Sequence, residues 1–170
     1  MKDFNNRVVV ITGAGSGIGR ALSQAFAQAG AKLAIADNNQ ANLAETEHML
    51  GNAQVLSQTL DVANREAVYA FADQVKTEYG AADIVINNAG VTFGNTVEDS
   101  SYEDFEWLMG INFWGVVYGT KAFLPMLKAA DEGVVVNISS VFGIIAFPNQ
   151  AAYNASKFAV RGFTEALRHE

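Results

Sequence analysis

Val8-Val9-Val10-Ile11-Thr12-Gly13-Ala14-Gly15-Ser16-Gly17-Ile18-Gly19 is the stretch that sets the fold. Its first four residues are β-branched and unbroken, the pattern of a strand buried on both faces. Glycines follow at once, and the apolar period then changes. Ile18, Leu22, Ala25, Phe26 and Ala29 form one helical stripe that stops at Gly30. In such a strand–turn–helix unit glycine lets backbone N–H groups approach an anion with no Cβ in the way. The helix start adds unpaired N–H donors and a positive dipole end. The spacing is Gly13-x3-Gly17-x-Gly19. A strict G-x-G-x-x-G does not fit, because Ile18 and Arg20 stand where its third Gly would fall. A tight turn without any ligand has the same local appearance, so the surroundings must decide.

Outward from this unit the pattern repeats. Strands are expected at 33–36, 54–59, 83–86 and 134–138, and helices at 40–50, 63–79, 102–129 and 151–168. Alternating strands and helices joined by right-handed crossovers give an α/β fold, a doubly wound parallel sheet with helices on both faces. At about 150 residues per domain the 170 residues make one domain, 1–170. The helix at 102–129 is apolar nearly all round, with Trp107, Leu108, Ile111, Phe113, Trp114, Val117 and Phe123. One face suits the sheet and the other needs a second cover. A homo-oligomer joined through this helix and the one at 151–168 is therefore expected.

Composition narrows the function. Eleven Lys and Arg against 18 Asp and Glu leave a net charge of −7, which argues against nucleic acid and anionic membranes as partners. With no Cys there is no disulfide scaffold, thiolate nucleophile or Cys-based metal site. The two His, His48 and His169, are too few for a metal centre, so no metal is expected. Residues 1–7 hold no hydrophobic signal core and no apolar run is long enough to span a bilayer, so a cytoplasmic location is expected.

Asp37 closes the second strand, where a carboxylate can accept from both hydroxyls of an adenosine ribose. A 2′-phosphate there would meet like charge. Asn38 and Asn39 supply no base, and Ser16 rather than a base precedes Gly17, so NAD is favoured over NADP. Tyr153 and Lys157 stand at i and i+4 on one helix face. Tyrosine ionises near 10, and lowering that to ~7 needs roughly 4 kcal/mol, within reach of an adjacent ammonium and an oxidised nicotinamide in a partly dry site. Ser140 follows a strand's carboxyl end, where its hydroxyl can donate to a carbonyl oxygen or simply cap the loop. Asn112, flanked by Ile111 and Phe113, is a polar residue in an apolar helix and must find partners.

Together these pieces resemble the short-chain dehydrogenase/reductase family, in its main, non-extended branch with a Rossmann-type sheet. The carriers are Thr12-Gly13-x3-Gly17-x-Gly19, Asp61-Val62, Asn87-Asn88-Ala89-Gly90, Asn112, Asn137-Ile138-Ser139-Ser140 and Tyr153-x3-Lys157, in order from about residue 7 to the end. The resemblance implies hydride transfer between a nicotinamide cofactor and a small-molecule alcohol or carbonyl substrate. Gly13, Ser16, Gly17, Ile18 and Gly19 would hold the pyrophosphate, Asp37 the ribose, and Asp61 with Val62 the adenine. Asn88, Ala89 and Gly90 would line the cofactor, with Asn87 tying neighbouring backbone together. Tyr153 would be the general acid/base, Lys157 would hold the nicotinamide ribose and favour the phenolate, Ser140 would polarise the carbonyl, and Asn112 would hold a relay water. The family's chain usually continues into further strands and a substrate-covering segment, whereas this sequence stops at Glu170. An unpaired sheet edge at 134–138, missing pocket walls and weak catalysis are expected on that ground. Phe93, Val141, Phe142 and Phe147 hint at an apolar substrate. A non-catalytic dinucleotide-binding regulator is the alternative, and an extended-branch epimerase is disfavoured by the glycine spacing.

Overall fold

β1 (Val8–Thr12) is buried at all five positions and lies at the centre of a parallel sheet ordered β3-β2-β1-β4-β5. The computed structural model describes residues 3–170. The other strands are β2 (Lys32–Asp37), β3 (Val55–Thr59), β4 (Ile84–Asn87) and β5 (Val134–Asn137). The helices are α1 (Gly17–Gln28), α2 (Gln40–Met49), α3 (Arg65–Tyr79), α4 (Tyr102–Met109), α5 (Gly115–Ala129) and α6 (Ala151–Leu167).

Why the central strands read as unbroken apolar runs is plain from their packing. Val8, Val10, Ala34, Ala36 and Val85 join one core with Phe71 and Val75 of α3 and Phe123 and Leu127 of α5. Val9, Ile11, Leu33, Ile35, Ile84 and Ile86 join a second core with Leu22 and Phe26 of α1 and Leu43 of α2. Alternate residues thus feed opposite faces, and both faces are covered. Phe71 and Phe123 meet edge to face at 6.0 Å in the first core. The chain steps outward from β1 to β3, then returns to the other side of β1 with β4. That reversal opens a crevice at the strands' carboxyl ends.

Element ends follow local chemistry. The helix expected from 63 starts at Arg65, because the Asp61 carboxylate first takes the Ala63 N–H and Asn64 then caps the Ala67 N–H. The expected helix at 102–129 is helical throughout but not a single α-helix. Gly110–Trp114 between α4 and α5 form a π-helical turn centred on Asn112. A short 3-10 turn, Val141–Gly143, also lies in what the sequence offered only as a loop. β5 stands at one edge of the sheet with all four residues half-buried. Among the described residues no helix is long and apolar enough to cross a membrane, and no group of three or more His, Cys, Asp or Glu is gathered.

Candidate functional site

A cleft of about 690 Å³ runs along the carboxyl ends of the strands, from Asp37 to Tyr153 and Lys157. At one end lies the glycine turn. Gly19 is buried beneath it, where an added Cβ would come within 2.1 Å of the Gly13 carbonyl oxygen, so only glycine allows this closeness. Gly17 has φ +50° and open space on its outer side. Ser16 precedes α1 without capping it, whereas Asn39, Asn64 and Ser101 each cap their helices with a side-chain oxygen. The first turn of α1 also carries no acidic residue. The cleft therefore faces a positive helix end without a side-chain cap.

Asp37 ends β2 beside this turn. Its Oδ2 accepts from the Gly15 N–H at 2.8 Å and its Oδ1 from the Asn39 N–H at 2.9 Å, which aims the carboxylate along the cleft wall. Asp61 and the buried Val62 line the same end. Midway, the Asn88 amide donates to the carbonyls of Thr12 and Gly13 at 3.0 and 3.2 Å, and the N–H groups of Asn88 and Ala89 donate to the Thr12 hydroxyl. Gly90 continues the wall. The backbone-tying role expected of Asn87 thus falls to Asn88. Asn87 instead donates to the side chains of Thr120 and Asn137 at 3.1 and 2.8 Å.

At the far end stand Ser140, Tyr153 and Lys157. Ser140 Oγ accepts from the Phe142 N–H at 3.1 Å, which starts the 3-10 turn and leaves the hydroxyl proton for another acceptor. Half-buried Tyr153 is braced by the ring of Phe142, edge to face at 6.0 Å. One helical turn on, Lys157 is 4% exposed and donates to the Ile138 carbonyl at 2.8 Å. Its Nζ lies 5.6 Å from the Tyr153 ring centroid. Burial pushes this ammonium below the ordinary lysine range. A phenol, an alcohol and a buried cation thus converge on one mouth, a set able to hold a carbonyl oxygen and move a proton.

Thirteen of the fifteen residues the sequence put forward line this one cleft. Gly19 and Asn112 do not; both lie behind its wall. Asn112 is fully buried, its amide spent on the Val91 N–H at 2.8 Å, the Val91 carbonyl at 2.9 Å and the Ser156 hydroxyl at 3.2 Å. Its side chain is therefore not the part that could hold a relay water. Phe93, Val141, Phe142 and Phe147 also stay off the cleft lining, with Phe142 stacked on Phe147 at 5.2 Å. Sequence reasoning missed Asn42, Thr92 and Ser139, which do line it. Ser139 had a signal, standing beside Ser140 after the strand; the other two had none.

A family model described as short chain dehydrogenase matches residues 7–170. The chain belongs to the short-chain dehydrogenase/reductase family. A protein named as an oxidoreductase, SadH of Mycobacterium tuberculosis, is 54% identical over all of this chain and 62% of its own length. Epidermal retinol dehydrogenase 2 of Mus musculus is 41% identical over 98% of this chain and 55% of that protein. Among solved structures, a short-chain dehydrogenase/reductase of Burkholderia phymatum in complex with NAD superposes with a TM-score of 0.96 at 40% identity, covering 99% of this chain and 61% of that one. NAD+-bound xylitol dehydrogenase gives 0.93 at 33% identity, covering 98% and 65%. The chain spans about three-fifths of the length of the first-ranked relatives it matches.

Proposed function

We propose that this chain carries the dinucleotide site and acid/base group of an NAD-dependent short-chain dehydrogenase acting on an alcohol or its ketone. The observation that carries the reading is the single cleft with an open glycine turn and Asp37 at one end and Ser140, Tyr153 and Lys157 at the other. The residues present fit such a cofactor. Backbone of Gly13, Ser16, Gly17, Ile18 and Gly19 would take the pyrophosphate at the start of α1, where no side-chain cap competes. Asp37 would accept from the adenosine ribose, Asp61 and Val62 would flank the adenine, and Asn88, Ala89 and Gly90 would line the middle. Lys157 would hold the nicotinamide ribose.

Bound nicotinamide supplies the hydride acceptor for alcohol oxidation and the donor for carbonyl reduction. In oxidation Tyr153 takes the alcohol proton, with Lys157 Nζ 5.6 Å from its ring centroid on the same helix face. Ser140 donates to the same substrate oxygen and fixes its direction. Asn112 would support the relay from behind the cleft wall, its amide joining Val91 to Ser156. NAD is preferred to NADP because Asp37 would repel a 2′-phosphate, with no Lys or Arg at Ser16, Asn38 or Asn39 to offset it. NAD in the Burkholderia and xylitol dehydrogenase complexes supports this choice. Half-exposed Trp107 and Trp114, with Phe158 on the adjoining α6, suit burial against a second copy.

The test is calorimetric titration with NADH and NADPH, beside turnover of an alcohol panel, for the chain and for Tyr153→Phe. Tighter binding of NADH than NADPH is expected, unchanged in the variant. Turnover should fall by about 10²–10⁴. A Tyr153→Phe variant that turns over like the parent, or a chain that ignores both nucleotides, overturns the reading.

A further inference from the structure

The four carbonyls of the glycine turn, Thr12 to Gly15, are held by three side chains. Asn88 takes those of Thr12 and Gly13. The guanidinium of Arg20 donates to the Gly15 carbonyl at 2.5 Å. Thr46, one turn from the end of α2 and wholly buried, shares its hydroxyl proton between the Ala14 carbonyl at 3.0 Å and its own helix's Asn42 carbonyl at 3.1 Å. The Thr46 oxygen also accepts from Arg20 Nε at 2.9 Å, and Glu45 pairs with the same guanidinium at 2.6 Å. With their carbonyls drawn inward, these residues keep one backbone conformation. The Gly15 N–H then points at Asp37 Oδ2, 2.8 Å away, and fixes the carboxylate. Neither Thr46 nor Arg20 lines the cleft.

We infer that Thr46 and Arg20 are positioning residues of the nucleotide site: through Ala14 and Gly15 they hold the turn and Asp37 in the binding conformation, and so set affinity and 2′-hydroxyl selectivity at the adenosine end without touching it. The inference rests on the dinucleotide reading above. Its physical basis is population. Thr46→Val keeps the volume but strands the Ala14 carbonyl and Arg20 Nε, both of which must then find partners by moving the turn. Apparent affinity falls by the fraction of molecules left in the competent conformation. Arg20→Lys keeps the charge but loses the planar fork that reaches Gly15, Thr46 and Glu45 together.

The experiment titrates the full chain with ADP-ribose and with 2′-phospho-ADP-ribose by calorimetry, at a temperature where circular dichroism shows every variant folded. Thr46→Val should bind ADP-ribose about tenfold more weakly and discriminate less against the 2′-phosphate. Thr46→Ser, which restores the hydroxyl, should return to within about twofold of the parent. Arg20→Lys should resemble Thr46→Val, and carries the test if the valine variant fails to fold. A purely structural role would lower the melting temperature of these variants and leave the ratio of the two ligands unmoved. If the parent binds ADP-ribose and Thr46→Val and Arg20→Lys bind it equally well, or if Thr46→Ser is as weak as the valine variant, the inference is wrong. A parent that binds neither ligand removes the dinucleotide reading itself, a different and separately visible result.

Discussion

Lys157 keeps an amine at 4% exposure against one carbonyl, and that burial lowers its proton affinity in the folded chain. Unfolded, the same amine titrates near ~10.4. Between the lowered folded value and ~10.4 the unfolded chain holds more protons, so this group's contribution to stability rises with pH there. Below that window the burial cost is present in full. Lys157→Met removes the titration, so the stability of the methionine variant relative to the parent should decline as pH rises toward ~10. Urea unfolding of both proteins at neutral and alkaline pH measures it; a difference that stays flat would show that the native amine bears no burial cost. The pairing of Tyr153 with Lys157 was legible because i and i+4 stack on any helix. That Asn88 rather than Asn87 ties the backbone was not, since Asn87 ends β4 and Asn88 lies just past it, and only packing tells which of the two meets Thr12. Thr46 was illegible for a like reason: nothing local marks a helix threonine as the partner of a carbonyl 32 residues away.

The π-helical turn shows what an element-scale reading leaves out. Apolar periodicity carried the helix across 102–129, and one widened turn barely disturbs that count. At its centre stands a tertiary contact. Asn112 spends its amide on both main-chain groups of Val91, just beyond the Asn88-Ala89-Gly90 wall, and on Ser156 in α6 between Tyr153 and Lys157. One side chain thereby joins the cleft's middle wall to the helix bearing its reactive end. Asn112→Ala leaves the half-buried Val91 N–H and carbonyl without these partners, a cost of about 2 kcal/mol. Chemical denaturation should register that loss, and amide exchange should quicken at residues 88–92. Unchanged stability and exchange would mean that water replaces the amide at no cost. Strand positions, by contrast, were readable to within a residue, because burial on both faces of the central strands forces unbroken apolar runs.

At the scale of the whole molecule, the fold leaves large apolar side chains on its outside that suit a further cover. The near-continuous apolar character of 102–129 resolves into two populations. Leu108, Ile111, Val116, Phe123, Met126 and Leu127 are buried inward, while Trp107 and Trp114 remain about half exposed. Phe158 of α6, which packs beside α4 and the π-turn, is 43% exposed. Large aromatic surface of this kind gains more from leaving water than a scattered leucine does. β5 offers a second route, as an edge strand whose backbone groups could pair with another sheet. The two routes differ in their response to charge. If the helical face is the joint, Trp107→Glu with Phe158→Glu places carboxylates in the interface, in a protein already at −7, and should convert a dimer at ~10 µM into monomer with the fold intact. Sedimentation of parent and double variant over a concentration series decides it. A parent that stays monomeric at ~100 µM argues against self-association altogether. Association that survives the double variant transfers the joint to the β5 edge, because backbone pairing there is indifferent to side chains on the far face of the helices.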